Sequence, residues 1–404
     1  MISFRLWGRA MLCLAVSASG AILPSSLVLA ENSFFVVPAF STSKNDGQDF
    51  GLIAPMLNSD AEGNLRSLFA PMLIHNSFLG VRGTLNFFHY WSGGSQMEAV
   101  GSYTEEIERK LKFRYQDPRF IEGLFFVDIG AQFFKNATKR FYGLGQNTPK
   151  HDETNYTGRE IQVHWNFGIH INDVTRLSVN QRFRDVEIQP GGVDDEPYTK
   201  DRFQGAPGIK GATILAHRLV FQYDSRDNLN TPTAGTRFEA FGELAQNFDH
   251  GKEDDLLYFR SGFELRKLVP SPSKRYIFVA RAMLQLSFGD GIPFYEQSSL
   301  GGEETLRGYG RDRFIDKHMV AFNAEERIHL FGMKMFNVNI ECEMVPFVDM
   351  GRTYQDFKFR QFNEWEITPG IGFRANVRPN VLARVDWGYS REGGAVFAGL
   401  NYPF

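Results

Sequence analysis

Arg307, in Leu306-Arg307-Gly308-Tyr309, and Asp349, closing Pro346-Phe347-Val348-Asp349, are a guanidinium and a carboxylate able to form a planar, bidentate ion pair. A guanidinium leaves water only for such a partner. Gly308 permits close backbone approach beside it, and Tyr309 and Phe347 add aromatic surface. Further charges recur at alternate positions nearby: Glu325, Arg327 and His329, then Glu341 and Glu343, then Glu366, Arg374, Arg384 and Asp386. Such a set reads as a satisfied polar network rather than an acid–base site. The chain has no G-x-S-x-G, H-E-x-x-H, paired-cysteine site or Walker loop. No catalytic residue, metal site or cofactor is expected, and the protein is not read as an enzyme.

The elements that must carry these residues are strands. No helix-length amphipathic pattern follows Glu31, whereas period-2 alternation returns repeatedly. Ile161, Val163, Trp165, Phe167 and Ile169 alternate with Gln162, His164, Asn166 and Gly168. The alternation predicts strands at Gln48–Leu57, Leu65–His75, Leu79–Trp91, Met97–Tyr115, Phe120–Lys135, Tyr156–His170, Thr175–Val186 and Ile209–Tyr223. It continues at Gly235–Phe248, Leu256–Val269, Tyr276–Phe288, Met319–Phe331, Val338–Met350, Glu364–Val377, Val381–Tyr389 and Ala395–Phe404. That is about 16, an even number as single-chain bacterial barrels have. Tight connections such as His75/Leu79 and Val377/Val381 alternate with long ones such as Phe288/Met319. One apolar face, one charged face and this alternation of turns suit a transmembrane antiparallel β-barrel with a polar lumen. A mean hydropathy of −0.29 excludes a polytopic helical membrane protein but not a barrel. Net charge −3 leaves no footprint for nucleic acid.

Alternation also assigns faces. With Asp349 inward, Glu341, Glu343, Val345 and Phe347 face the lumen, and Cys342, Met344, Pro346, Val348 and Met350 face lipid. Asn323, Glu325, Arg327 and His329 point inward from the preceding strand, leaving Glu326 as a charge on its outward face. Residues 1–30 read as a signal peptide: Arg5 and Arg9 precede an uncharged run ending in Val28-Leu29-Ala30. Removing it removes Cys13 and leaves Cys342 without an internal disulfide partner. Ser33–Ser43 looks strand-like, but counting it would break the even parity. Residues 31–47 are therefore assigned to a periplasmic lead-in and 48–404 to the barrel.

These motifs resemble the BamA/TamA superfamily of outer-membrane assembly barrels, also called bacterial surface antigens. The stretch Ser299-Leu300-Gly301-Gly302-Glu303-Glu304-Thr305-Leu306-Arg307-Gly308-Tyr309 resembles that family's loop motif, with Leu306 where valine is usual. Asn323-Ala324-Glu325-Glu326-Arg327 and Phe347-Val348-Asp349 resemble the two strand motifs that follow it. Asp224-Ser225-Arg226-Asp227-Asn228 is similar to a mid-barrel turn, and Phe141-Tyr142-Gly143-Leu144-Gly145 to an earlier loop. The resemblance covers nearly the whole chain after residue 30. It implies a long extracellular loop folded into the lumen, with Arg307 bridging to Asp349. The terminal Gly399-Leu400-Asn401-Tyr402-Pro403-Phe404 resembles a barrel-assembly signal, with Gly399, Tyr402 and Phe404 as its marks. Tyr402 and Phe404 would then face lipid together with Val396, Ala398 and Leu400.

The resemblance also implies a location and a class of activity. The chain is expected in a Gram-negative outer membrane with both termini periplasmic. It would assist insertion or translocation of proteins or lipids at the seam between first and last strands. The implied partners are outer-membrane lipid, the barrel-assembly machinery during biogenesis, and a protein client or periplasmic partner. Inserting members of the family carry POTRA domains, and the short stretch after Ala30 leaves no room for one. The alternative reading is a passive porin or small-solute channel.

Overall fold

In the computed structural model, alternation becomes one closed antiparallel barrel. The structure describes residues 32–34, 36–60, 64–249, 256–335, 338–356, 364–377 and 381–404. The expected signal peptide lies outside the described residues. The strands are β1 (Asn32–Phe34), β2 (Val37–Ser43), β3 (Gly47–Ile53), β4 (Met56–Ser59), β5 (Leu65–Asn76), β6 (Gly80–Tyr90), β7 (Gln96–Thr104) and β8 (Arg109–Phe120). They continue as β9 (Phe125–Phe141), β10 (Thr154–Asn172), β11 (Thr175–Pro190), β12 (Ala212–Asp224), β13 (Gly235–Asp249), β14 (Leu256–Pro270) and β15 (Tyr276–Phe288). A small hairpin, β16 (Ser298–Leu300) with β17 (Phe314–Asp316), interrupts the series. The last wall strands are β18 (His318–Met335), β19 (Val338–Tyr354), β20 (Glu366–Val377), β21 (Val381–Ser390) and β22 (Gly393–Leu400). Each wall strand pairs with its neighbours in sequence, and β2 closes the ring against β22.

The all-β antiparallel barrel is as expected, and it has 18 strands among the described residues where about 16 were expected. Two local features account for the difference. Asn32–Phe34 and Val37–Ser43, within the stretch expected as a lead-in, belong to the wall: β2 pairs along its length with β3, and β1 with β4. Pro55 separates β3 from β4 because it cannot donate to the ladder. The second feature is Met97–Tyr115, which is two strands. The turn Glu105-Glu106-Ile107-Glu108 lacks glycine, proline and asparagine, so the alternation reads straight through it. Thr104 N–H donates to the Glu108 carbonyl across that turn, at 3.1 Å.

Outward positions along the middle of the wall are mostly large and apolar. Tyr115, Ile129 and Trp165 lie opposite one another on three consecutive strands, above Val127 and Phe167. Inward positions are polar and mostly buried, among them Glu98, Asp128, Glu160, Glu243, Arg260 and Arg327. Away from the β2–β22 junction, the described strands pair their ladder groups with neighbours, as lipid, which offers no partner for them, requires. One rim carries the long connections 142–153, 191–211 and 289–317; the opposite rim carries mostly short turns and both ends of the described chain.

Cys342 is free and half-buried on the outward face of β19, next to Met344 and across from Ala375. In vesicles a lipid-soluble maleimide should modify Cys342 and a charged, impermeant one should not. Equal labelling by both would contradict this assignment of faces.

Candidate functional site: a loop locked across the lumen

The connection 289–317 folds inward instead of standing above the rim. Its tip, residues 301–313, is pinched by β16 and β17, and Leu300, Leu306, Tyr309 and Phe314 bury together against Met319 and Ala321 of β18. That small apolar cluster presents Arg307 to the wall. The guanidinium donates to both Asp349 oxygens, Nε to Oδ2 at 2.9 Å and Nη2 to Oδ1 at 2.8 Å, and the Arg307 backbone N–H adds a third bond at 3.0 Å. Nη1 reaches Glu325 at 3.1 Å. Asn323 donates both to Asp349 and to the Thr305 carbonyl, tying carboxylate and loop backbone together. The guanidinium carbon sits 3.5 Å from the centre of the Phe347 ring, a close cation–π contact. Arg307, Asp349 and Glu325 are almost wholly buried. Burial disfavours the charged arginine, but Asp349 and Glu325 outweigh it and hold the guanidinium above its ordinary pKa.

Two glycines make this approach possible. A side chain on Gly308 would meet Thr368, Ser390 and the Tyr389 backbone within 3.0 Å. One on Gly388 would strike the Arg307 carbonyl at 2.3 Å. Backbone therefore lies against backbone where the loop crosses β21, and Ser390 Oγ donates to the Gly308 carbonyl at 2.9 Å. Tyr309 is buried and its hydroxyl donates to Glu366.

Of the other residues read from sequence, Arg327 joins the lock through Glu325 at 2.9 Å. Glu343 accepts from the Tyr402 hydroxyl at 3.1 Å. Glu341 lies farther along the same face of β19, opposite Asn376 and only half-buried, past a bulge between His329 and Phe331 of β18. Arg374 and Arg384 bracket Asp386 at 2.7 Å each, and Arg384 also reaches Glu303 of the loop.

The C-terminal residues depart from the expectation. Val396, Ala398 and Leu400 keep the outward parity opposite Trp387, Val385 and Ala383, and Gly399 lies inward opposite Arg384. Tyr402 and Phe404 do not continue on the lipid face. Asn401 takes a left-handed conformation, φ +66°, which asparagine tolerates better than most residues, and β22 stops. The tail then turns into the lumen. The Tyr402 ring lies 3.3 Å from the Arg327 guanidinium carbon, and Phe404 buries against Leu268, Ile277 and Val279. Phe404 also faces Arg281 at 5.2 Å and Arg307 at 5.3 Å. Strand parity could not foresee this, because parity ends where the strand does.

A second anchor escaped the sequence reading. Glu296, in a single 3-10 turn (Phe294–Glu296), receives Arg182 through two bonds of 2.7 Å and Arg184 at 2.5 Å. Arg260 approaches the same carboxylate at 3.1 Å and donates to the Glu296 carbonyl at 2.8 Å. These arginines hold the buried carboxyl well below its usual range against the opposing effect of burial. Arg182, Arg184 and Arg260 sit at inward positions of two predicted strands, so three inward cations on two segments were the available signal. Phe294 packs beside it with Phe141 and Tyr156. The loop thus spans the lumen, held to β11 and β14 at one end and to β18, β19 and β21 at the other.

A family model for the Omp85 superfamily domain matches residues 91–390, which includes the whole lock. The chain belongs to the Omp85 superfamily. It is an all-β barrel of the outer membrane. Outer membrane protein assembly factor BamA of Nitratidesulfovibrio vulgaris is 27% identical over 194 residues, 45% of this chain and 23% of that protein. The match therefore takes in about a quarter of that relative's length. Among solved structures, BamA from Haemophilus ducreyi lacking POTRA domains 1–3 superposes with a TM-score of 0.58 at 13% identity, covering 91% of this chain and 75% of that one. CdiB from Escherichia coli gives 0.55 at 14% identity, covering 93% and 63%. At such identities the likeness is one of fold.

Arg307→Ala should destabilise the loop by about 3–5 kcal/mol, because it strands two buried carboxylates. Faster proteolysis within 289–317 and an altered folded-form mobility on unheated gels would report it; unchanged resistance and mobility would contradict the lock. Glu296→Gln should loosen the other end. Hydrogen exchange around Phe294 is expected to rise while residues 305–309 stay protected, and a uniform rise would show instead that the two anchors open as one unit.

Proposed function

We propose that this barrel assists insertion or translocation of proteins or lipids at the seam between β2 and β22. One observation carries the reading. Among the described residues the seam is closed by a single register pair, Thr42 with Ala398, whereas β2 pairs with β3 over the full run Val37–Ser43 and β21 with β22 over Ala383–Ser390. Missing ladder bonds make this the least costly place in the wall to open. The tail that turns inward at Asn401 shortens the last strand and keeps the seam weak. The relatives named above are, by their names, an assembly factor for outer-membrane proteins and CdiB, and membership of the superfamily supports the same general class of work for this chain.

In this reading the rim with the long connections faces outward, and both described ends face the periplasm. Outer-membrane lipid is the surrounding partner, and the barrel-assembly machinery handles the chain during biogenesis. Gly399, Tyr402 and Phe404 act as a recognition segment while the chain is unfolded, and the two aromatics turn inward once the ring closes. Arg307, Gly308, Tyr309, Phe347 and Asp349 keep the loop across the lumen, with Glu325, Arg327, Glu341 and Glu343 as the surrounding network. The barrel wall can then part without becoming an open pore.

A Thr42→Cys/Ala398→Cys pair, in a Cys342→Ser background, joins the two strands covalently. Oxidation should abolish complementation of a deletion strain, and reductant should restore it. Full activity of the crosslinked form would rule the seam out. In planar bilayers the wild-type barrel should show little steady conductance; a large constant conductance would favour a passive channel.

A further inference from the structure

On the outer wall, three cations share one rung. Arg109 of β8 lies opposite Lys135 of β9, and Lys135 lies opposite Arg159 of β10. Directly paired residues point to the same face, and this face is the outward one: two residues on, the same strands present Leu111, Phe133 and Ile161. From Ile161 the outward residues Val163, Trp165, Phe167 and Ile169 continue toward the opposite rim. Four two-residue steps at about 3.3 Å per residue, tilted by roughly 40°, give close to the apolar height a barrel needs to span a bilayer. The rung therefore stands at the upper edge of the apolar band, on the side of the long connections, where headgroup phosphates lie. Above it β9 and β10 continue to Phe141 and Thr154, so the site is a shelf against a wall that projects past the membrane.

The three charges are arranged and not neutralised. Arg109 is fixed by donating to the carbonyls of Thr104, Glu106 and Glu108 at 2.6–2.7 Å and by stacking 3.6 Å from the Tyr103 ring centre. Those carbonyls orient its charge without cancelling it. Lys135 makes no hydrogen bond or close ion pair among the described residues and meets Glu187 only at longer range. Arg159 meets the one anion of the rung, Glu187 of β11, at 3.1 Å, and Glu187 is also held by Gln189. Glu187 marks the end of the site and leaves two charges in excess. Adjacent strands are about 4.8 Å apart, so the cations extend over roughly 10 Å, too wide for one phosphate and suited to two.

We propose that Arg109, Lys135 and Arg159 dock a membrane lipid whose headgroup carries two phosphates, in the leaflet at the long-connection rim. The proposal rests on the outer-membrane orientation given above. Arginine supplies the forked donors that match phosphate and lysine the mobile point charge. The apolar strip beneath the rung receives the acyl chains.

The test uses the full barrel purified in a neutral detergent and read by native mass spectrometry. A bisphosphorylated lipid should be retained over its monophosphorylated and zwitterionic counterparts. The Lys135→Ala/Arg159→Ala double variant should lose roughly thirtyfold in affinity, from about 1 kcal/mol for each basic residue near a charged membrane surface. A Lys274→Ala/Arg275→Ala control, in the turn at the opposite rim, should bind as wild type. Equal retention by the double variant, or no preference for the bisphosphorylated lipid, overturns the proposal, as does displacement by an equal concentration of inorganic phosphate. Flotation with vesicles and gel mobility of the same samples separate this outcome from failure of the membrane reading. A variant that still floats and folds but binds lipid unchanged removes only the lipid site.

Discussion

A guanidinium buried between two carboxylates constrains everything else in this barrel. Arg307, Asp349 and Glu325 have given up water almost completely, and each charge is tolerable only while the others stay in place. Three separate segments must then be positioned together: a loop, the strand after it, and the strand after that. The supporting details follow from this demand. Phe347 offers its ring face to the guanidinium, Asn323 fixes the carboxylate, and Gly308 and Gly388 remove the side chains that would hold loop and wall apart.

The same constraint explains how a barrel of 18 strands is filled. A ring this wide cannot close its lumen with wall side chains alone. The connection 289–317 crosses it, fastened by Glu296 to arginines of β11 and β14 and by Arg307 to carboxylates of β18 and β19. The C-terminal tail adds a second inward element, with Tyr402 over Arg327 and Phe404 near Arg307. The tail that leaves the seam and the loop that crosses the lumen therefore meet on one charge network. Opening the wall at β2 and β22 would move the tail, and movement of the tail would be felt at Arg327 and Arg307.

Much of this was legible in the chain. Period-2 alternation located the wall, and parity set the inward positions of Asp349, Glu325, Arg327 and Glu343, because a strand's faces follow from its sequence alone. The family resemblance implied that Arg307 bridges to Asp349 across 42 positions, and parity, which puts Asp349 inward, agreed with it. What was hidden depended on non-local or irregular geometry. The turn at Glu105–Glu108 carries no turn residues, so two strands read as one. Merging them into one strand makes the total even without Ser33–Ser43, so the hidden turn and the extra strand conceal each other. Glu296 lies in a connection without periodicity, and its three arginine partners come from strands far away in sequence. Tyr402 and Phe404 lie beyond Asn401, where the backbone changes hand and parity no longer applies.

The central claim is that loop and wall are joined through one coupled, buried ion pair. The most direct measurement is a double-mutant cycle with Arg307→Met and Asp349→Leu, read as unfolding free energy of the barrel in lipid vesicles. The account predicts that the double variant is less destabilised than the sum of the singles, by a coupling of about 1–3 kcal/mol, since each single change strands a charge that the double change removes. Additive effects within about 0.5 kcal/mol would mean that the two residues stabilise the barrel independently, and would contradict the account.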